Sequence, residues 1–501
     1  MHKLSKLLSA IITEEIIEDA SEKDKQITSL TADSRKVTPG AMFVAVRGPV
    51  SDGHNYIDDA LRAGASAIVA EELPVTGHTG VTFVKVSDSA VALGYLASEW
   101  YGNPSRSLTL VGVTGTNGKT TTATLLYKIA RLSGMKAGLL STVENRIEDR
   151  VEPAVNTTPS PLETNRLLRE IVDAGCSFAA MEVSSHGMVQ SRTVGLHFAA
   201  GVFTNLTRDH LDYHGTFQEY LRAKKLFFDN LPSTAFALTN SDDRNGDVML
   251  QNTRARKLTY GLYGTPDFHG KVLSDSVTGM EMSFNGIEVH TPFIGQFNAY
   301  NLTAVFGTWV ALGHSPEETA VTLSRLTPVA GRFETFTMPT GSVVVVDYAH
   351  TPDALENVLN TINELVRPLN FKVISVFGCG GDRDAGKRPI MGRIGASLSD
   401  VMIVTSDNPR NENAEMIAAE IIAGATALES PRAKTTTILD RASAIETAIT
   451  DNPSGAVILV AGKGHETYQE FENRRRIHFD DREHVVNAIN KITANIFPPR
   501  N

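Results

Sequence analysis

Residues 108–122 read Leu-Thr-Leu-Val-Gly-Val-Thr-Gly-Thr-Asn-Gly-Lys-Thr-Thr-Thr, and they constrain the fold more than any other stretch. The apolar, β-branched run Leu108 to Val113 predicts a buried strand, Gly115-Thr116-Asn117-Gly118 a turn, and Lys119 to about Ser133 a helix. A glycine-rich turn between a strand and a helix lets backbone N–H groups approach an anion at the positive end of the helix. Lys119 is placed to reach β- and γ-phosphates, and the Thr120 hydroxyl to hold Mg²⁺. The strict GxxxxGK[ST] spacing fails, because Val113 stands five residues before Gly118. A plain helix-capping turn is the competing reading, and the strand before and uninterrupted helix after argue against it.

The same alternation continues along the chain. Strand candidates are Ala41 to Val46, Ala67 to Ala70, Val81 to Val86, Phe178 to Val183, Ala199 to Phe203 and Phe236 to Thr239. Past a break at 326–332 come Val343 to Asp347, Val373 to Phe377, Val401 to Thr405, Thr435 to Leu439 and Ala456 to Val460. Near-continuous apolar strands separated by helices imply parallel sheets covered on both faces. With 501 residues, the chain divides at Tyr101–Ser105 and at 326–332 into three α/β domains, 1–106, 107–331 and 332–501. The central one is a P-loop-type parallel sheet and the last is Rossmann-like.

Composition excludes several classes. The 47 basic and 57 acidic residues give a net charge of −10, with no long basic run, so a dedicated nucleic-acid binder is not expected. Two cysteines, Cys176 and Cys379, cannot form a disulfide framework in a chain this long. No apolar run approaches the roughly 20 residues that span a bilayer. Residues 1–24 place Leu4, Leu7, Leu8, Ile11, Ile12 and Ile16 at helical spacing, with acids from Glu14 onward that interrupt any signal-peptide core. A cytoplasmic monomer, without membrane insertion, is the expectation.

Several strings resemble the Mur ligase family. They are Val113-Thr114-Gly115-Thr116-Asn117-Gly118-Lys119-Thr120-Thr121, Met181-Glu182-Val183-Ser184-Ser185-His186, the run from Asn205 to Gly215, and Asp347-Tyr348-Ala349-His350-Thr351-Pro352. Asp407-Asn408-Pro409-Arg410 and Gly462-Lys463-Gly464-His465-Glu466 resemble the branch that adds meso-diaminopimelate. The strings run in the expected order from about residue 33 to 466. The resemblance implies an ATP-dependent amide ligase of peptidoglycan synthesis, acting on UDP-MurNAc-L-Ala-D-Glu. A lysine-adding ligase and a folylpolyglutamate synthase are the rivals within this chemistry. A nucleotide-binding regulator without catalysis is the rival outside it.

The resemblance also assigns residues. Lys119, Glu182, His210 and Lys224 are implied as catalytic. Mg²⁺ ligands would be Thr120, Glu182, His210 and Lys224, the last as a carbamate (N6-carboxylysine). A capping or surface role is the alternative for Glu182, and for His210 a structural role, with Asp209, Asp212 and His214 near enough to share or swap the metal role. The residues support Lys224 independently: Phe217, Leu221, Lys224, Phe228 and Leu231 fall on one helical stripe, where a lysine must pair, lose its proton, be modified or snorkel out. ATP would contact Gly115, Thr116, Asn117, Gly118, Lys119, Thr120 and Thr121. Asn301 would lie at the adenine segment, with Arg332 and Asp347 at phosphate, ribose or hinge, or else as a structural salt bridge.

The N-terminal domain is implied to bind uridine diphosphate through Ser34. Asn156, Thr157, Thr158, Ser184, Gln190 and Arg192 would hold the sugar-peptide portion, although an ordinary turn before Pro159 also explains the first three. The amino acid would meet Arg388, Asp407, Asn408, Pro409, Arg410, Gly462 and Glu466. Arg410 presents a planar fork that suits a distal carboxylate, which lysine lacks.

Overall fold

The computed structural model describes residues 1–17, 24–48, 51–74, 80–207 and 211–496. Two compact units emerge, Met1–Gly270 with Tyr300–Thr322, and Lys271–Ala299 with Leu323–Asn501.

Among its described residues the first unit contains two large sheets and a two-stranded ladder of His2–Lys3 with Gln26–Ile27. One orders Glu15–Ile17, Thr82–Lys85, Ala67–Ala70, Met42–Val44 and Leu30–Thr31 side by side, all parallel except the Glu15–Ile17 edge. That edge corrects the sequence reading of the N-terminus. Among its described residues only Leu4–Leu8 is helical, and Ile16 pairs with Val84 in an antiparallel ladder. The helical spacing of the later isoleucines was coincidental: Ile12 is exposed, while Leu4 and Leu7 fill the core.

Within this unit the other large sheet runs through Arg150–Pro153, Glu144–Ile147, Ala137–Leu140, Phe178–Glu182, Thr109–Thr114, Ala200–Phe203, Phe236–Asn240 and Arg256–Gly261, where Tyr260 and Gly261 pair with Phe268 and His269 of the next strand. From Ala137–Leu140 onward each neighbour is parallel. Leu110, Val111 and Val113 are fully buried, as a strand covered on both faces requires. Thr109–Thr114 is central, so Glu182 and Thr204 emerge on either side of the glycine-rich turn.

Two glycines seat the helix Phe217–Asp229 on this sheet. Gly112 and Gly201 are register partners, and a Cβ on either would press on the Phe227 ring. The buried face of that helix is Tyr220, Ala223, Lys224, Phe227 and Phe228. The expected stripe is therefore rotated, since Tyr220 and Phe227 lie inside and Phe217 and Leu221 only partly so. Lys224 belongs to both stripes, and Lys225 turns away to pair with Asp229 at 2.6 Å.

The second unit has a six-stranded sheet among its described residues, in the order Glu334–Thr337, Val343–Asp347, Ala456–Ala461, Lys372–Phe377, Val401–Val404 and Lys434–Thr437. Only the first pair is antiparallel. Alternation divides its side chains between two cores. Val343, Val345, Val373, Val457 and Leu459 face one, while Val344, Val346, Ile374, Val376, Ile458 and Val460 face the other. Helices therefore cover both faces. Ligands of such sheets bind beyond the carboxyl ends of the strands. Those ends here carry Asp347, the turn 378–382, Asp407–Arg410 and Gly462–Glu466. A hairpin, Tyr468–Phe471 with Arg475–His478, follows the last turn. Its short strands gave no sequence signal.

Candidate active site

The turn after Thr109–Thr114 needs its glycines. Gly118 caps helix Lys119–Leu132 in the left-handed region, with φ of 83°. A Cβ there would stand 2.5 Å from Asn301 Oδ1, and one on Gly115 would collide with Thr204 Oγ1. Thr204 Oγ1 donates to Asn117 O at 2.6 Å, and Asn205 Oδ1 accepts from Asn117 N at 2.9 Å. Thr116 N donates to Asn205 O at 2.8 Å. Thr121 is buried in the first turn of the helix. The loop is thus fastened to the neighbouring strand end on one side.

On the other side stands Glu182, which is 0% exposed. Its carboxylate accepts from Thr120 Oγ1 at 3.0 Å and from Thr142 N at 2.7 Å. It makes no ion pair among the described residues, an unusual state for a buried carboxylate. A hydroxyl and a carboxylate are hard oxygen donors, so the pair suits Mg²⁺ and its charge would offset the buried acid. His210 lies outside the described residues.

Lys224 is 1% exposed, which excludes snorkelling. Its Nζ donates to Gly115 O at 2.6 Å and lies 4.6 Å from the Tyr220 ring centre. Tyr220 in turn meets the loop, its hydroxyl 3.1 Å from Thr116 Oγ1. Lys119 folds over the same loop, donating to Gly115 O at 2.9 Å and Thr116 O at 2.8 Å. Asn301, assigned from sequence to the adenine segment, sits against this loop and accepts from Thr122 Oγ1 at 3.3 Å.

Next to Glu182 is a second cluster. Thr158 Oγ1 donates to Glu182 O at 2.9 Å and accepts from Ser184 N at 2.9 Å. Ser184 Oγ caps the short helix Ser185–Val189 by accepting from Gly187 N. Thr157 Oγ1 accepts from Thr142 Oγ1 at 3.0 Å, while Asn156 is exposed. Arg192 donates to Thr158 O and to Gln190 Oε1, both at 2.6 Å, and Gln190 Nε2 reaches Tyr213 Oη at 3.1 Å. Arg192 faces no carboxylate among the described residues, and burial pulls its pKa down. A half-buried cation without a counter-ion is suited to an anionic ligand. Ser34 opens a 3₁₀ turn capped by Asp33 between strands Leu30–Thr31 and Met42–Val44, and among the described residues no hydrogen bond joins it to this cluster.

In the second unit the turn 378–382 and Asp407–Arg410 fit together through missing side chains. A Cβ on Gly381 would strike Pro409 O, and one on Gly380 would lie 2.8 Å from Arg410 Nη1 and 3.8 Å from Arg383 Cγ. Arg410 adopts φ of 52°, rare outside glycine, and its N–H donates to Glu470 O at 3.1 Å. Its Nη1 donates to Gly381 O at 2.7 Å and its Nε lies 3.6 Å from Glu470 Oε1. Asn408 Nδ2 donates to Glu466 Oε2 at 3.0 Å. Burial and the neighbouring Asp407 push the Glu466 carboxyl above its usual value. Asp407 is held below its own, because Lys463 and Arg441 outweigh its burial. Gly462, at φ of 117°, leaves space beside Asp407 and Arg441, each 4.0 Å from where its Cβ would be.

Arg388 has different company. It is 2% exposed and pairs with Glu412 at 2.9 Å and Glu420 at 3.0 Å, so two carboxylates of the protein already occupy its fork. Arg332 lies over the Tyr348 ring, 4.7 Å from its centre. Asp347 accepts from Phe333 N and Ala349 N, both at 2.7 Å, and burial raises its pKa. Thr142, Tyr220 and Lys463 were missed by sequence reasoning. Lys463 alone carried a signal, lying inside a string already singled out.

Lys119, Thr120 and the buried Glu182 gather around one glycine turn, an arrangement suited to the phosphates of a nucleoside triphosphate. Comparisons with known proteins narrow this. The Mur ligase family catalytic domain matches residues 26–101, the Mur ligase middle domain 113–309, and the Mur ligase glutamate ligase domain 331–464. A UDP-N-acetylmuramoyl-L-alanyl-D-glutamate–2,6-diaminopimelate ligase from Parabacteroides distasonis is 55% identical over 457 residues, covering 91% of this chain and 93% of that protein. The enzyme of the same description from Phocaeicola vulgatus is 52% identical, covering 96% and 98%. A solved structure of a ligase so described is 31% identical, with a TM-score of 0.68 over 95% of this chain and 98% of its own. The chain belongs to the Mur ligase family, whose members are ATP-dependent amide-forming ligases.

Proposed function

We propose that this chain adds meso-diaminopimelate to the D-glutamate side-chain carboxylate of UDP-MurNAc-L-Ala-D-Glu, with ATP converted to ADP and phosphate. The observation that carries it is Arg410. Its guanidinium is turned by Gly381 and Glu470, and Nη2 makes no bond among the described residues. That edge suits the distal carboxylate that distinguishes diaminopimelate from lysine. Arg388, already paired, donates to Gly380 O at 3.3 Å and so braces the turn, and the exposed Arg383 beside Gly380 is the better second cation.

The chemistry follows from the charges. A carboxylate is a poor electrophile until phosphorylation gives it a leaving group. The γ-phosphoryl of ATP passes to the D-glutamate carboxylate, the amine attacks the acyl phosphate, and phosphate departs. The protein's task is to gather anions and neutralise them. Lys119 and the loop N–H groups hold ATP phosphates, and Arg192 with Thr158 and Ser184 holds the acceptor. Thr120, Glu182, His210 and Lys224, the last carbamylated, would hold Mg²⁺, which supplies charge neutralisation when bound. The stretches 1–106, 107–331 and 332–501 serve the uridine diphosphate, ATP and amino-acid ends. The working form is a cytoplasmic monomer. No helix among the described residues is long and apolar enough to cross a membrane.

The test is phosphate release with UDP-MurNAc-L-Ala-D-Glu, ATP, Mg²⁺ and bicarbonate, with meso-diaminopimelate compared against L-lysine. Turnover confined to diaminopimelate is expected. A preference for lysine overturns the role given to Arg410, and silence with both overturns the ligase reading.

A further inference from the structure

Lys463 is 0% exposed, and four groups of the second unit converge on it. Its Nζ donates to Asn408 Oδ1 at 2.9 Å and to Tyr468 O at 2.7 Å. Asp407 Oδ1 stands 3.4 Å away and Glu466 Oε2 3.6 Å away. Three of these groups belong to residues assigned to the amino-acid pocket. None of the three is adjacent to another along the chain except Asp407 and Asn408.

The arrangement fixes an orientation. Asn408 Oδ1 accepts both Lys463 Nζ and Glu470 N, each at 2.9 Å, so its Nδ2 must point at Glu466. It also fixes charge. Two carboxylates in a buried pocket repel one another, and without a cation one of them takes up a proton. Glu466 shows the tension, raised by burial and by Asp407 and lowered by Lys463. Two of its donors meet Asn408 Oδ1 and Tyr468 O, and its compact charge stands between the two carboxylates, a setting that a larger planar guanidinium would match less well.

We propose that Lys463 is a positioning residue for the amino-acid substrate: it sets the Asn408 amide and holds Asp407 and Glu466 as paired acceptors for an ammonium group. This rests on the pocket assignment above. The substrate class follows from it, an amino acid whose cationic end meets two acids while its distal anion meets Arg410. A purely structural lysine, pinning the Tyr468 strand to the sheet, would affect all substrates alike.

The experiment compares K463M, K463Q and K463R with the parent enzyme by steady-state kinetics in each substrate. A KM does not depend on the fraction of protein folded, so a partly folded variant still reports. The expected result is a rise of about tenfold or more in KM for meso-diaminopimelate in K463M and K463Q. KM for ATP and for UDP-MurNAc-L-Ala-D-Glu should stay within about twofold, and K463R should recover part of the loss. Unchanged KM for diaminopimelate, or equal rises for all three substrates, overturns the proposal. If the parent enzyme itself ignores diaminopimelate, the functional reading fails instead.

Discussion

Thr120 and Glu182 join the first turn of helix Lys119–Leu132 to the end of the adjacent strand, hydroxyl to carboxylate at 3.0 Å. The carboxylate has no other partner than the Thr142 N–H among the described residues. Two hydrogen-bond donors and no ion pair among the described residues leave it suited to take a cation. Glu182→Gln keeps both hydrogen bonds possible and removes the charge. The expected outcome is a fold intact by thermal midpoint and a kcat lowered about 100-fold or more, with the Mg²⁺ concentration for half-maximal rate increased. Phosphate release across a Mg²⁺ titration measures this. A rate within fivefold of the parent would remove Glu182 from the proposed metal site.

Arg410 and Arg388 should part company under mutation. Arg410 leaves an edge open, so Arg410→Ala should raise KM for meso-diaminopimelate about 10- to 100-fold and leave the thermal midpoint nearly unchanged. Arg388 is buried between Glu412 and Glu420. Arg388→Ala leaves its packing void and two acids uncompensated, with a cost of a few kcal/mol softened by the exposure of both glutamates. It should therefore melt earlier, with KM for diaminopimelate little altered in the folded fraction. Calorimetry beside kinetics separates the two, and the reverse pattern would show that Arg388 touches substrate.

His465 gives the second unit a pH dependence. Burial, then repulsion from Arg332 and Arg482, lowers its pKa from 6.5 to about 4. Between those values the unfolded chain binds a proton that the folded chain does not. Stability is whole above pH 6.5 and is lost as pH falls towards 4, by roughly 3 kcal/mol at most. His350 is lowered too, also by burial first, and acts in the same direction. His465→Gln should flatten the fall in unfolding free energy between pH 6.5 and 4 by up to one proton without abolishing it. Denaturant titrations at several pH values read this out, and parallel slopes for variant and parent would refute it.

What the sequence made legible was local. The glycine turn, its strand and its helix are contiguous, and their residue types serve backbone conformations that neighbours cannot supply. The parallel strands were legible for a related reason, because burial on both faces leaves unbroken apolar runs such as Val343 to Val346. What stayed hidden depends on distant partners. Nothing near Arg388 announces Glu412 and Glu420, more than twenty residues on, so a paired arginine looked like an open one. Likewise Thr142, which gives Glu182 its second donor, stands forty residues away in a stretch with no motif. The N-terminal segment misled because Ile16 and Ile17 owe their positions to Val84 and Phe83 of a partner strand much later in the chain.

Arg192 sets substrate binding against stability within one side chain. Its guanidinium donates to Thr158 O and Gln190 Oε1, neutral acceptors that cannot balance its charge. In the substrate-free protein this cation is partly desolvated without compensation, which lowers its pKa. An anionic group of the acceptor would supply what is missing. Arg192→Met should therefore raise KM for UDP-MurNAc-L-Ala-D-Glu by about 10- to 100-fold, with KM for ATP and for the amino acid near their parent values. The same variant removes an uncompensated charge but orphans Thr158 O, so its substrate-free thermal midpoint should stay within about 2 °C of the parent. The stabilisation that saturating acceptor confers on the parent should largely vanish. Thermal shifts with and without the acceptor measure both effects together. An equal shift in variant and parent would show that the anion binds elsewhere, and a large loss of midpoint without substrate would show that Arg192 is there for the fold.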